Sequence, residues 1–122
     1  MALLTTLSSC FRHSKNDISI SVKETSDVYQ LSAYFDKARK KEVQYYIGKC
    51  MGDNNFFRSG NVEIDANTTL DDHTHFYIRS IGGELKIKLN KEDNSWESYT
   101  RVKRMCEGLK NVLTNNRYKS FQ

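Results

Sequence analysis

The residues best suited by type and spacing to do chemistry lie together in Asp71-Asp72-His73-Thr74-His75. In an extended strand residues two apart share a face, so Asp71, His73 and His75 would offer one carboxylate and two imidazoles to a divalent metal. The bland reading of the same run is a solvated turn held by Asx-type hydrogen bonds. A second constellation is cationic. Lys37, Arg39, Lys40 and Lys41 fall in the first turns of an expected helix, where positive charge opposes the helix dipole. Helix stability alone would not put them there. Together they form a candidate site for phosphates or acidic headgroups, with Tyr45 on the same side able to stack on a base.

Other chemistries find little. There is no GxSxG elbow, and no cysteine stands in a recognisable family context with a histidine. Glu63 and Asp65 are better explained as cross-strand partners for Arg79 and the nearby lysines than as an acid/base pair. Gly82-Gly83 lies between two strands with no helix behind it, so it is a hairpin turn and not a phosphate cradle. No RNP, KH, helix-turn-helix or zinc-finger signature accompanies the basic run. No catalytic residue and no cofactor is therefore expected.

Three cysteines, Cys10, Cys50 and Cys106, give neither a disulfide framework nor zinc-finger spacing. Cys50 and Cys106 read as buried apolar residues. A bridge between them would need an oxidising compartment and neighbouring helices. Leu7-Ser8-Ser9-Cys10 resembles the lipobox of bacterial lipoproteins. The resemblance implies cleavage before Cys10, a lipid on its sulfur and a place in the cell envelope. The alternative is an ordinary frayed terminus on a cytoplasmic protein.

The elements that must position these groups follow from periodicity. Ile18, Ile20 and Val22 alternate with polar residues, and Tyr29, Leu31, Ala33 and Phe35 do the same. A Thr25-Ser26 turn would join them, placing Val22 opposite Tyr29 and Ile20 opposite Leu31. Val43, Tyr46, Ile47, Cys50 and Met51 then recur at helical spacing, with Asp36 as N-cap and Gly52 as stop. Val62 to Leu70 alternates again. The Gly82-Gly83 hairpin pairs Ile78 with Ile87. A final helix from about Asn94 to Asn115 carries Trp96, Tyr99, Val102, Cys106, Leu109 and Leu113, with Asn94 and Glu97 as an approximate capping box. The order ββαβββα predicts an α+β two-layer sandwich, a five-stranded antiparallel sheet with two helices on one face. Residues 1–16 form a tail or signal remnant, 17–122 the single domain. No internal repeat is visible.

Composition agrees. The chain of 122 residues is 38% hydrophobic and 11% aromatic, enough for one core, and no apolar run is long enough to span a bilayer. Nineteen basic against fifteen acidic residues leave +4, which permits acidic partners without demanding them. The expected function is a non-enzymatic binding module for a protein or an anionic ligand. Its sites would be the basic helix start or the polar sheet face with Tyr77, Arg79, Lys86 and Lys88. The alternatives are the metal site at Asp71, His73 and His75, or weak nucleic-acid binding through the helix start.

Overall fold

The computed structural model describes residues 18–52, 57 and 61–114 in full, and the backbone alone of 7–13. Among the described residues six strands form one antiparallel sheet: β1 (Leu7–His13), β2 (Ile18–Glu24), β3 (Val28–Tyr34), β4 (Ile64–Thr69), β5 (His75–Ile81) and β6 (Glu84–Asn90). Their spatial order is β1-β2-β3-β6-β5-β4. Helix α1 (Lys40–Met51) follows β3, and α2 (Trp96–Thr114) follows β6. The expected five strands and two helices are present in the expected order. Among the described residues no helix is long and apolar enough to cross a membrane.

The sixth strand corrects the expectation of a tail. Leu7–His13 pairs along its whole length with β2, Cys10 opposite Ser21. Cleavage before Cys10 would remove Leu7, Ser8 and Ser9 from that strand, so the lipobox resemblance does not describe a free tether. Residues 14–16, Asp53-Asn54-Asn55, Tyr118 and Phe121, and the side chain of His13, lie outside the described residues.

Strand alternation sends Ile18 and Ile20 of β2, Tyr29, Leu31 and Ala33 of β3, Phe76 and Ile78 of β5, and Leu85, Ile87 and Leu89 of β6 to one face. There they meet Val43, Ile47 and Met51 of α1 and Val102, Met105, Cys106, Leu109 and Leu113 of α2 in one core. The Gly-Gly hairpin has the expected register, Ile78 opposite Ile87. The first hairpin does not: Val22 faces Leu31 and Ile20 faces Ala33. Its turn sits one residue later, because the Thr25 hydroxyl accepts from the N–H groups of Asp27 and Val28. Moving a turn by one residue shifts every partner by two, so the apolar face survives the error.

Helix ends also differ from expectation. Asp36 caps a short 3-10 turn, Lys37–Arg39, accepting from the Ala38 N–H at 3.0 Å, and α1 starts after it. At α2 the cap is Ser95, whose hydroxyl accepts from the Ser98 N–H at 3.0 Å. Asn94 instead ties a second 3-10 turn, Lys91–Asp93, to β5, bonding both the N–H and the C=O of His75 and the C=O of Asn90. Trp96, expected in the core stripe, is 72% exposed, and Met105 is buried in the core.

The two halves repeat each other. Each runs three strands, a 3-10 turn and a helix, and they meet where β3 pairs antiparallel with β6, Leu31 opposite Ile87. Setting Leu31 onto Ile87 carries Lys40, the first residue of α1, onto Trp96, the first of α2. It also carries Cys50 onto Cys106 and Gly52 onto Gly108. The match holds for strand order and strand alternation, Ile20 onto Phe76 and Val22 onto Ile78, whereas along the helices it sets buried Ile47 on Lys103 and Met51 on Glu107, so the sequence shows no repeat.

Each helix is fastened to the other by an arginine. Arg39 donates to the last carbonyls of α2, Val112 at 3.0 Å and Leu113 at 3.1 Å, while gripping Glu42 through two oxygens at 3.1 Å. Arg101 donates to the Cys50 carbonyl of α1 at 3.0 Å and pairs with Asp72 at 2.9 Å. Guanidinium groups suit this use because their fork can satisfy several orphan helix carbonyls and a carboxylate at once.

Candidate functional site

With both helices on one side, the other side of the sheet carries its polar residues outward. Strand register arranges them in transverse rows. One row runs Lys23, Gln30, Lys88, Tyr77, Asn67 across β2, β3, β6, β5 and β4. The next runs Ser21, Ser32, Lys86, Arg79, Asp65. Adjacent members of a row stand about 4.8 Å apart, the spacing of paired strands.

The charges in the rows are not equally available. Arg79 is held by Asp65 at 2.6 Å and Glu84 at 3.4 Å. Those two carboxylates relieve the repulsion expected from Lys86 directly opposite Arg79. Tyr77 donates to Asp65 at 2.6 Å, and this bond, ahead of the Arg79 interaction, holds the Asp65 carboxyl below its usual range. Arg79 and Tyr77 are therefore occupied. Lys23, Lys86 and Lys88 carry no ion pair or hydrogen bond among the described residues. A hollow of about 450 Å³ opens beside them, lined by Gln30, Asn67, His75, Lys86, Lys88 and Asn94 among others. Its walls offer amide and hydroxyl groups as well as two cations.

The basic helix start is less free than its sequence suggests. Arg39 is consumed by α2 and Glu42, and Lys40 is paired with Glu63 at 3.0 Å. Lys37 and Lys41 share a shallow hollow with that same Glu63, whose charge opposes an incoming anion. The structure thus divides the four residues into two structural cations and two surface ones.

The metal constellation is not assembled. His73 occupies the turn with φ of 69°, which breaks the two-residue alternation that would have aligned it with His75. His75 shares a hydrogen bond with Thr69 at 2.8 Å, and the carboxylate that does converge in this turn, Asp72, serves Thr74 and Arg101. Among the described residues no three histidine, cysteine or acidic side chains gather to hold a metal. Cys50 and Cys106 are both free thiols, Cys106 buried with its pKa pushed up by desolvation.

A network that periodicity could not reveal closes the far end of the core. Glu24 accepts from the Tyr99 hydroxyl and from Lys91 at 2.9 Å, and Lys103 approaches Glu24 at 3.6 Å. Both lysines lie over the Tyr99 ring, at 4.8 and 5.6 Å from its centroid. Partial burial pushes the Glu24 carboxyl up, but the Tyr99 and Lys91 hydrogen bonds and both ammonium charges outweigh it, leaving the pKa lowered. Asp72 is lowered as well, chiefly by Thr74. A depressed folded-state pKa contributes stability that is present above the unfolded value and lost as pH falls through the folded one. Thermal unfolding should therefore hold steady from neutrality to about pH 4.5, the ordinary glutamate value, and decline below it. Glu24→Gln should lower the melting temperature at pH 7 and flatten the acid decline; an unchanged acid slope would remove Glu24 from this role.

Comparison of the chain with models of protein families, with curated proteins and with solved structures finds no match.

Proposed function

We propose that the chain is a non-enzymatic binding module whose open sheet face receives an acidic segment of a partner protein. The observation that carries this reading is the set of unspent cations, Lys23, Lys86 and Lys88, on a polar face that neither helix covers. Gln30, Ser32 and Asn67 alternate with them and can exchange hydrogen bonds with peptide groups. A nucleic acid would be expected to use free arginines and several open aromatic faces. On this side Arg79 and Tyr77 are tied to Asp65, and Tyr34, 54% exposed, stands apart from the lysine row beside Glu84.

Fluorescence anisotropy with labelled poly-L-glutamate, and in parallel with labelled oligo-dT, tests the assignment. Polyglutamate should bind at low salt and weaken as salt rises, because each contact is a screened ion pair. Lys86→Gln/Lys88→Gln should weaken it by roughly tenfold or more, from the loss of charged hydrogen bonds. Tighter binding of oligo-dT than of polyglutamate would replace the protein partner by a nucleic acid. Wild-type affinity in the double variant would move the site off this face.

A further inference from the structure

On the opposite side of the molecule, the outer surface of the helix pair has its own hollow, of about 460 Å³, between the second half of α1 and the first half of α2. Its volume lies within the range of small-molecule sites, roughly 300–1,000 Å³. Trp96, Tyr46, Met105 and Cys50 give it an aromatic and sulfur-rich lining. Trp96 is the only tryptophan of the chain and the most exposed of its large apolar side chains among the described residues. Tyr46 packs where any Cβ on Gly108 would strike its hydroxyl. That glycine keeps the two helices close enough to form the floor.

Two polar features distinguish the hollow from a bare apolar patch. Arg101, on its wall, is already committed to Asp72 and the Cys50 carbonyl, whereas Arg104 is exposed and has no partner among the described residues. Thr100 also lines the hollow, and its Oγ1 is buried with no hydrogen-bond partner, the sole such side-chain atom among the described residues. One carboxylate, Glu97, borders the site. It lies seven residues before Arg104, about 10 Å along the helix at 1.5 Å per residue, at the Trp96 end. Charge thus sorts the hollow into a cationic end at Arg104 and a Trp96 end whose rim carries the Glu97 carboxylate, which turns a ligand's carboxyl group towards Arg104.

We propose that this hollow binds a small apolar carboxylate, its carboxyl group on Arg104 and its hydrocarbon body along Tyr46, Met105 and Trp96. The charge on Arg104 selects an acid over a neutral analogue, and the ring of Trp96 covers the body once a ligand is seated.

Tryptophan fluorescence of the full chain reads the site directly. Titration with octanoate should give a saturable shift of Trp96 emission, and 1-octanol should bind at least tenfold more weakly. Arg104→Ala, a change at an exposed position, should weaken octanoate roughly tenfold or more and leave octanol unaffected, as expected for loss of one charge-assisted bond. Lys86→Gln/Lys88→Gln should leave octanoate binding intact, so that failure here and failure of the sheet-face reading are separate results. Absence of a saturable shift, equal affinity for octanol, or wild-type affinity in the Arg104 variant would each overturn the proposal.

Discussion

Gln44→Leu should destabilise the protein by about 3 kcal/mol, although leucine is close to glutamine in size and more apolar. Gln44 is fully buried in α1, and its amide makes three hydrogen bonds there. Nε2 donates to the Val62 carbonyl at 2.7 Å and to the Ser80 hydroxyl at 2.9 Å, while Oε1 accepts from the Val62 N–H at 3.1 Å. Val62 precedes edge strand β4, so these bonds stand in for a ladder the backbone there does not make. Leucine would leave three groups desolvated and unpaired, each costing about 1–3 kcal/mol but sharing the loss through local relaxation. The melting temperature should fall by roughly 12 °C, on a scale of about 4 °C per kcal/mol for a chain of this length. Ser80→Ala should cost much less in the Gln44→Leu background than in the wild type, since its partner is already gone. Thermal unfolding followed by circular dichroism measures both. A fall of under about 1 kcal/mol would mean that Val62 finds water without cost.

Gly83→Ala should have an effect of similar size, about 3 kcal/mol, and Gly82→Ala only about 1 kcal/mol. The two glycines of the β5–β6 turn have different tasks. Gly82 has φ of 57° with nothing near its missing Cβ, so alanine there meets backbone strain alone. Gly83 has no such φ. A Cβ on it would land on the Phe35 carbonyl oxygen, with the Lys37 nitrogen 3.3 Å away. Both obstacles are backbone, and the Phe35 N–H is itself bonded to the Gly83 carbonyl at 2.8 Å, so neither side can yield cheaply. Comparing the two variants by chemical denaturation separates conformational freedom from space. Equal losses would contradict the division.

Both positions show where sequence reasoning stops. Alternating apolar residues foretold every core strand from β2 to β6, and the helical stripes foretold α1 and α2, because burial of one face is written into periodicity. Gln44 was invisible to that logic: a polar residue beside Val43 reads as surface until its partners, distant in the chain, are known. Ser98 and Thr74, buried and bonded to each other at 2.8 Å, are hidden for the same reason. Gly82-Gly83 was legible as a turn, but not the approach to Gly83 of the chain leaving β3 at Phe35 and Lys37. The basic run at Lys37 to Lys41 was legible as charge, and its partners Glu42, Glu63 and the α2 carbonyls were not, so availability could not be judged. Lys86 and Lys88 were placed on the open face by alternation alone. Trp96, by contrast, looked like the head of a core stripe and turned out to guard a surface hollow, since hydrophobicity does not say on which side of a helix end the core finishes.

The internal two-fold has a kinetic meaning. Within each half, successive strands pair through neighbouring hairpins, contacts of short sequence separation that close small loops at little entropic cost. The β3–β6 ladder is the strand pairing that crosses between halves, and the packing of α1 on α2, the Gln44 bonds to Val62 and Ser80, and the Glu24 cluster on α2 lie across the same divide. Strand pairing is thereby reduced to two local meanders and a single long-range ladder, so the non-local search among strands is confined to one seam.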